Sequence, residues 1–278
     1  MTHPDGRPNA TATAALALLS LGLTGAVAAQ DAPEVRARWE TGPLKAGWCV
    51  QFLMEPKRAS KDLARGYEVV AVHESEGWHP ALRRAAESDP AYAPWVPARV
   101  CQLLFDTVWV GGRHYERGSK NSPVGLAFWE VAARRSPGPG GAPGVARLLA
   151  TNSGDLQRRM EGEFIPLRLA QLTVAPIEGR QDQRFELKLD RTIITFEGHP
   201  VPDSTLQTSE VRYTLAMDGE RMMRWTIEVR LDPTNAASFP GGLRFHGKGD
   251  LLQALARSPI RMVGPVFSGG RGAVTFAR

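Results

Sequence analysis

Cysteine and lysine are scarce in this chain, with two of the former and six of the latter among 278 residues. Two cysteines, Cys49 in GWCVQF and Cys101 in RVCQLLF, exclude both a C-x-x-C metal cluster and a disulfide-dense mini-scaffold. The 34 basic residues are mostly arginine, are interleaved with 29 acidic ones and leave a formal net charge of +5. Without a clustered cationic arm there is no surface for phosphate counterion release, so nucleic acid is excluded as a partner. Beyond the amino terminus no uncharged apolar run reaches the length of a membrane-spanning helix. Several chemical signatures are missing as well: no G-x-S-x-G elbow, no S-x-x-K pair, no G-x-x-x-x-G-K-[ST] phosphate loop and no H-E-x-x-H helix. No repeat of solenoid or propeller period occurs.

What is present is an ordinary globular composition, 42% hydrophobic and 23% charged, which can bury a core and rules out general disorder. From Ala10 to Ala29 there is no charge. This apolar stretch ends in small residues and reads as an export signal over residues 1–29, with the mature chain starting near Gln30. An uncleaved membrane anchor is the rival reading. Export implies a periplasmic or extracellular location, where the two cysteines are expected to form a Cys49–Cys101 disulfide.

The remainder divides into a β-rich part over 30–135, a Pro/Gly linker or long loop over 136–144 (SPGPGGAPG) and a second β-rich part over 145–278, the two parts belonging to one domain or to two. In Lys45 to Met54, Trp48, Val50, Phe52 and Met54 recur at period two, and Arg99 to Val110 is apolar on both faces, as a central strand should be. Pro80 to Ser88 begins with proline and stops before Asp89-Pro90, which predicts a short helix. Val145 to Gly162 is expected to carry helical turns around an Asp155 cap, and Asp250 to Arg257 a helix capped by Asp250. In Thr208 to Leu231 the apolar residues Val211, Tyr213, Leu215, Met223, Trp225, Ile227 and Val229 are all odd. A three-residue loop, Met217-Asp218-Gly219, keeps them on one face. Strands at roughly ten-residue spacing with few helices predict a mainly β fold, an antiparallel β-sandwich or β-barrel with a few short helices.

Four groups of residues are candidate sites. His114 with Asp106 or Glu116 is a possible acid–base pair, since imidazole and carboxylate exchange protons near neutral pH. His73 and His79 bracket two glutamates with ligand-type side chains for a metal, although a site needs a third ligand from elsewhere. Arg244, His246 and Lys248 lead into the Asp250 helix and offer cations to an anion. Trp48, Phe52, Phe105, Trp109 and Trp225 either line a cavity for an apolar ligand or fill a core. No cofactor is required by any of these patterns. The main expectation is an exported, non-catalytic β-rich protein that binds an apolar small molecule or an envelope protein. The alternatives are an envelope enzyme using His114 with Asp106 or Glu116, and a structural subunit of an envelope assembly.

Overall fold

The computed structural model describes residues 35–61, 63, 66–118, 122–135, 144–163, 165–180, 182–198, 201–202, 211–217, 223–230, 237–238, 241–267 and 271–277. Residues 1–29, read as an export signal, and 136–143 of the linker lie outside them. The chain runs through β1 (Val35–Thr41), β2 (Leu44–Met54), α1 (Pro56–Ala59), β3 (Tyr67–Val69) and α2 (Pro80–Ser88). Next come β4 (Val96–Phe105), β5 (Val108–Val110), β6 (Arg113–Tyr115), β7 (Val124–Val131), β8 (Ala133–Arg135), β9 (Gly144–Thr151) and α3 (Gly154–Glu161). There follow β10 (Arg168–Leu169), β11 (Gln171–Pro176), β12 (Gln183–Leu189), β13 (Thr192–Gly198), β14 (Val201–Pro202), β15 (Val211–Met217) and β16 (Met223–Arg230). The last elements are β17 (Ala237–Ser238), β18 (Gly241–Gly247), α4 (Asp250–Arg257), β19 (Arg261–Phe267) and β20 (Arg271–Ala277).

Fourteen strands form one sheet, in the order β14-β17-β19-β2-β4-β7-β9-β15-β16-β20-β1-β5-β6 with β10 added to β9, and β11-β12-β13-β18 form a second. Among the described residues the sheets are open: β14 and β6 end the long path and do not pair with each other. This mixed α/β architecture corrects the expected antiparallel sandwich or barrel. Alternation of apolar residues reports which face a side chain takes and says nothing about whether the edges of a sheet meet. Two pairings, β15 with β9 and β10 with β9, are parallel, which a pure hairpin topology would not produce.

Strands β2, β4, β7 and β9 are neighbours at the centre, and nearly every residue of β2, β4 and β7 is buried. One face carries Trp48, Val50, Phe52, Val100 and Trp129, against which the second sheet packs Phe185, Leu187, Ile194 and Phe196. The Trp48 ring stacks on Phe196 at 5.9 Å between centroids. The other face holds two separate apolar clusters. One contains Cys49, Cys101, Phe105 and Phe128, the other Leu53, Val72, Leu82 and Ala86 under α2. Cys49 and Cys101 are opposed in the β2–β4 register and joined by a disulfide, 52 residues apart in sequence. Closing a loop of that size contributes about 4 kcal/mol in the chain-entropy account.

Helix α2 covers Pro80–Ser88, with Pro80 in the first turn and His79 at the cap. Two caps differ from expectation. Ser153, not Asp155, caps α3 by accepting from Leu156 N–H at 3.3 Å. Gly249 precedes α4 and the helix has no side-chain cap, because Asp250 turns to Lys61 Nζ at 3.2 Å. The helical turns expected around Asp155 within Val145 to Gly162 are α3, and the residues before them form strand β9, held between β7 and β15. In the β15–β16 pair Val211 faces Val229, Tyr213 faces Ile227 and Leu215 faces Trp225. The odd positions are thus opposed to one another, in a register that spans five intervening residues rather than three; the Asp218-Gly219 turn itself lies outside the described residues.

Candidate functional site

A polar row crosses the central strands at the gap between the two clusters of the second face. Gln51 of β2 is opposed to Arg99 of β4, and Arg99 to Glu130 of β7. All three are buried, in a position where strand register would otherwise place apolar side chains. Arg99 Nε donates to Glu130 Oε1, with side-chain exposures of 5% and 0%. The Trp78 indole lies over the Arg99 guanidinium at 4.8 Å. Gln51 Oε1 accepts the His79 backbone N–H at 2.8 Å, so the row also anchors the start of α2.

Glu130 is the unusual member. Its second oxygen, Oε2, is buried and accepts no hydrogen bond. Gly144 of β9 leaves room for the carboxyl, since a Cβ there would lie 3.0 Å from Glu130 Cδ and 3.1 Å from Oε2. Burial pushes the Glu130 carboxyl up to about 7, against the opposing pull of the Arg99 charge and hydrogen bond. A carboxyl that titrates near neutrality can both take and return a proton at ordinary pH. Outside Trp78 a cavity of about 160 Å³ is bounded by Ser75, Trp78, His79 and Arg83. Burial and the Arg84 charge hold the His79 imidazole below its ordinary pKa.

The structure places the residues singled out in the sequence as follows. His114 Nδ1 and Glu116 Oε1 are 3.3 Å apart at the sheet edge, with Trp109 stacked on the imidazole at 5.0 Å. Asp106 goes elsewhere and pairs with Lys45 at 3.3 Å. His73 contacts Glu74 at 3.5 Å and Ala93 O at 3.2 Å, whereas His79 Nδ1 accepts from Ala81 N–H as a helix cap. Among the described residues no three His, Cys, Asp or Glu side chains gather as a metal site. Arg244 pairs with Glu197 at 3.2 Å, on strand β18 beside exposed His246, while Lys248 lines a separate cleft.

The aromatic set does not enclose one cavity. Trp48 and Phe52 fill one core cluster and Phe105 another, Trp109 is 37% exposed, and the Trp225 side chain lies outside the described ones. Among the described residues, the cavities of about 650 and 500 Å³ are lined largely by charged and polar side chains. Lys45, Lys57, Lys61, Lys188 and Lys248 are all exposed, so among the described lysines there is no desolvated amine of the kind that forms imines.

The geometry thus defines a mixed α/β fold with open sheets and a buried arginine–glutamate pair at its centre. Three solved structures are partly similar to the chain. Acetoacetate decarboxylase from Legionella pneumophila aligns with 87% of this chain and 84% of its own at 12% identity, with a TM-score of 0.48. The enduracididine biosynthesis enzyme MppR, complexed with a condensation product of pyruvate and imidazole 4-carboxaldehyde, covers 96% of each chain at 14% identity and a TM-score of 0.46. An acetoacetate decarboxylase-like enzyme from Sphingomonas wittichii RW1 covers 86% of this chain and 89% of its own at 10% identity and a TM-score of 0.47. In sequence the chain matches no protein family and no characterised protein. These findings correct the expectation of an exported, non-catalytic binding or structural protein. The three structures are named as enzymes, and neither that expectation nor the location attached to it is carried further.

Proposed function

We propose that the protein is an enzyme performing acid–base chemistry on a small oxo acid, with Glu130 as the group that moves the proton. The observation that carries this reading is the Glu130 carboxyl itself, fully buried beside Arg99 with one oxygen unpartnered. A structural ion pair is stabilised by satisfying its lone pairs, and an orphaned carboxylate oxygen is costly unless it has a task. In the proposed step the Glu130 carboxylate removes a proton from carbon next to the substrate carbonyl. The electron pair of the broken C–H bond moves to the carbonyl oxygen as an enolate, whose charge the Arg99 guanidinium faces. Return of the proton to carbon regenerates the carboxylate. Trp78 both stacks on Arg99 and lines the outer cavity of about 160 Å³.

The test is exchange of carbon-bound hydrogen for solvent deuterium, followed by proton NMR on pyruvate and acetoacetate, small oxo acids of the kind handled by the enzymes of similar fold. Exchange above the buffer rate is expected, rising through a single ionisation near pH 7 and falling at least a hundredfold in Glu130→Gln. Exchange that survives Glu130→Gln in a folded protein, or no exchange with either acid, overturns the reading.

A further inference from the structure

On the opposite side of β7 from Glu130, Trp129 forms the floor of a cleft of about 650 Å³ between the central sheet, β12–β13 and the start of α4. A second hollow of about 500 Å³ adjoins it between α1 and α4, and the two share Arg147 and Asp250. Together they are lined by eight Lys or Arg side chains and three carboxylates, an excess as large as the formal net charge of +5 carried by the whole chain. Elsewhere cations and acids balance, and here they do not.

Several of the cations are neutralised locally. Arg168 pairs with Asp190, Lys61 with Asp250 at 3.2 Å, and Arg257 with Glu55 at 3.5 Å. Arg191 and Lys248 in the larger hollow and Lys57 in the smaller one have no carboxylate partner among the described residues. Arg147 stands between them, its guanidinium stacked on Trp129 at 4.6 Å and held by Arg58 O at 3.0 Å. Trp129 is itself 6% exposed and its buried Nε1 has no acceptor. Helix α4 opens on the same space with Gly249, Asp250 and Leu251 and lacks a side-chain cap, so its leading N–H groups add positive potential. A recess with low-dielectric walls concentrates this field more than a flat basic surface does.

We infer that this double cleft binds a small molecule with at least two anionic groups, phosphate or carboxylate, one held by Arg191 and Lys248 and the other by Lys57, with Arg147 between. The site is independent of the Glu130 row, from which the β7 strand separates it. Isothermal titration of the full chain with inorganic tripolyphosphate and with citrate tests the inference. Saturable binding with one molecule per chain is expected, at least tenfold weaker in the Arg191→Ala/Lys248→Ala variant and unchanged in Arg244→Ala, which removes a cation from the exposed outer strand. Both variants change exposed side chains, and an unaltered melting temperature verifies the fold. Tighter binding of tripolyphosphate assigns phosphate and tighter binding of citrate assigns carboxylate, either result supporting the site. Absence of saturable binding with both probes, or equal weakening by Arg244→Ala, overturns it.

Discussion

The two faces of β4 and β7 are made by alternate residues of the same strands, and they are furnished in opposite ways. On one, Val100 and Trp129 continue an apolar layer that runs from Trp48 to Phe185 and Phe196, with Gln102 hydrogen-bonded to the Trp48 indole and Arg147 stacked on Trp129 at its edge. On the other, the apolar layer breaks into two clusters and the gap holds Gln51, Arg99 and Glu130. Burial on the first face is favourable at about 25 cal/mol per Å² of apolar surface. On the second face the desolvation of two charges opposes the attraction between them, and replacing such a pair by hydrocarbon is often neutral or stabilising. A protein that could fill both faces alike, and fills only one, has kept the polar row for something other than stability.

Breaking the pair gives the largest expected effect. Glu130→Ala leaves the Arg99 guanidinium buried without its carboxylate, and urea unfolding should show a loss of about 3–5 kcal/mol. The double replacement Arg99→Met/Glu130→Leu makes the two faces alike. It is expected to unfold at the wild-type urea concentration or above while losing the deuterium exchange. A double variant as unstable as the single one would mean that the row is structural, and the contrast between the faces would lose its functional meaning.

The pH dependence of stability sharpens the same comparison, with a smaller effect. The Glu130 carboxyl titrates near 7 in the fold and near the ordinary carboxylate value when unfolded, so between those values the folded chain holds a proton that the unfolded chain has released. Stability therefore falls as pH rises from about 4.5 to about 7, by about 3 kcal/mol in all, and is level above that window. His79, held below its ordinary value, acts in the opposite sense, since the fold favours its neutral form and gains stability as pH rises. The difference between wild type and Glu130→Gln cancels the His79 contribution. The melting temperature of wild type relative to that of Glu130→Gln should fall as pH rises from 5 to 8, whatever the offset between the two. Parallel curves would contradict the assignment.

Local structure was legible wherever a residue type constrains its own backbone. Pro80 and the Asp89-Pro90 pair bracket α2, and the odd-numbered apolar positions of β15 and β16 are opposed in the strand register. What could not be read was anything requiring the partner of a strand. The turns expected around Asp155 gave α3, but nothing in 145–151 announced strand β9, whose partners are β7 and β15. Closure of the sheet leaves no mark on alternation. The Arg99–Glu130 pair did leave one: Arg99 interrupts the apolar run from Val96 to Phe105, and Glu130 interrupts the run from Val124 to Val131. Lone opposite charges in two central strands have nowhere to go except toward each other. The more conspicuous His114 and Glu116 do meet, in a solvent-exposed hairpin, where an ion pair contributes little.

The smallest effect tests how closely the row is fitted. Gly144 is extended strand, and a methyl group there would lie 3.0 Å from Glu130 Cδ and 3.1 Å from Val131 O. The carboxyl cannot retreat without leaving Arg99, and the carbonyl belongs to a neighbouring strand. Gly144→Ala should therefore cost about 1–3 kcal/mol, as overfilled sites do. Part of that cost is owed to the carboxyl and part to the backbone, and a double-mutant cycle with Glu130→Ala separates them. In the Glu130→Ala background the methyl should cost measurably less, because the space once occupied by the carboxyl accepts it. An equal cost in both backgrounds would assign the clash to Val131 alone and leave Glu130 loosely held, in conflict with a carboxyl whose proton affinity is set by confinement.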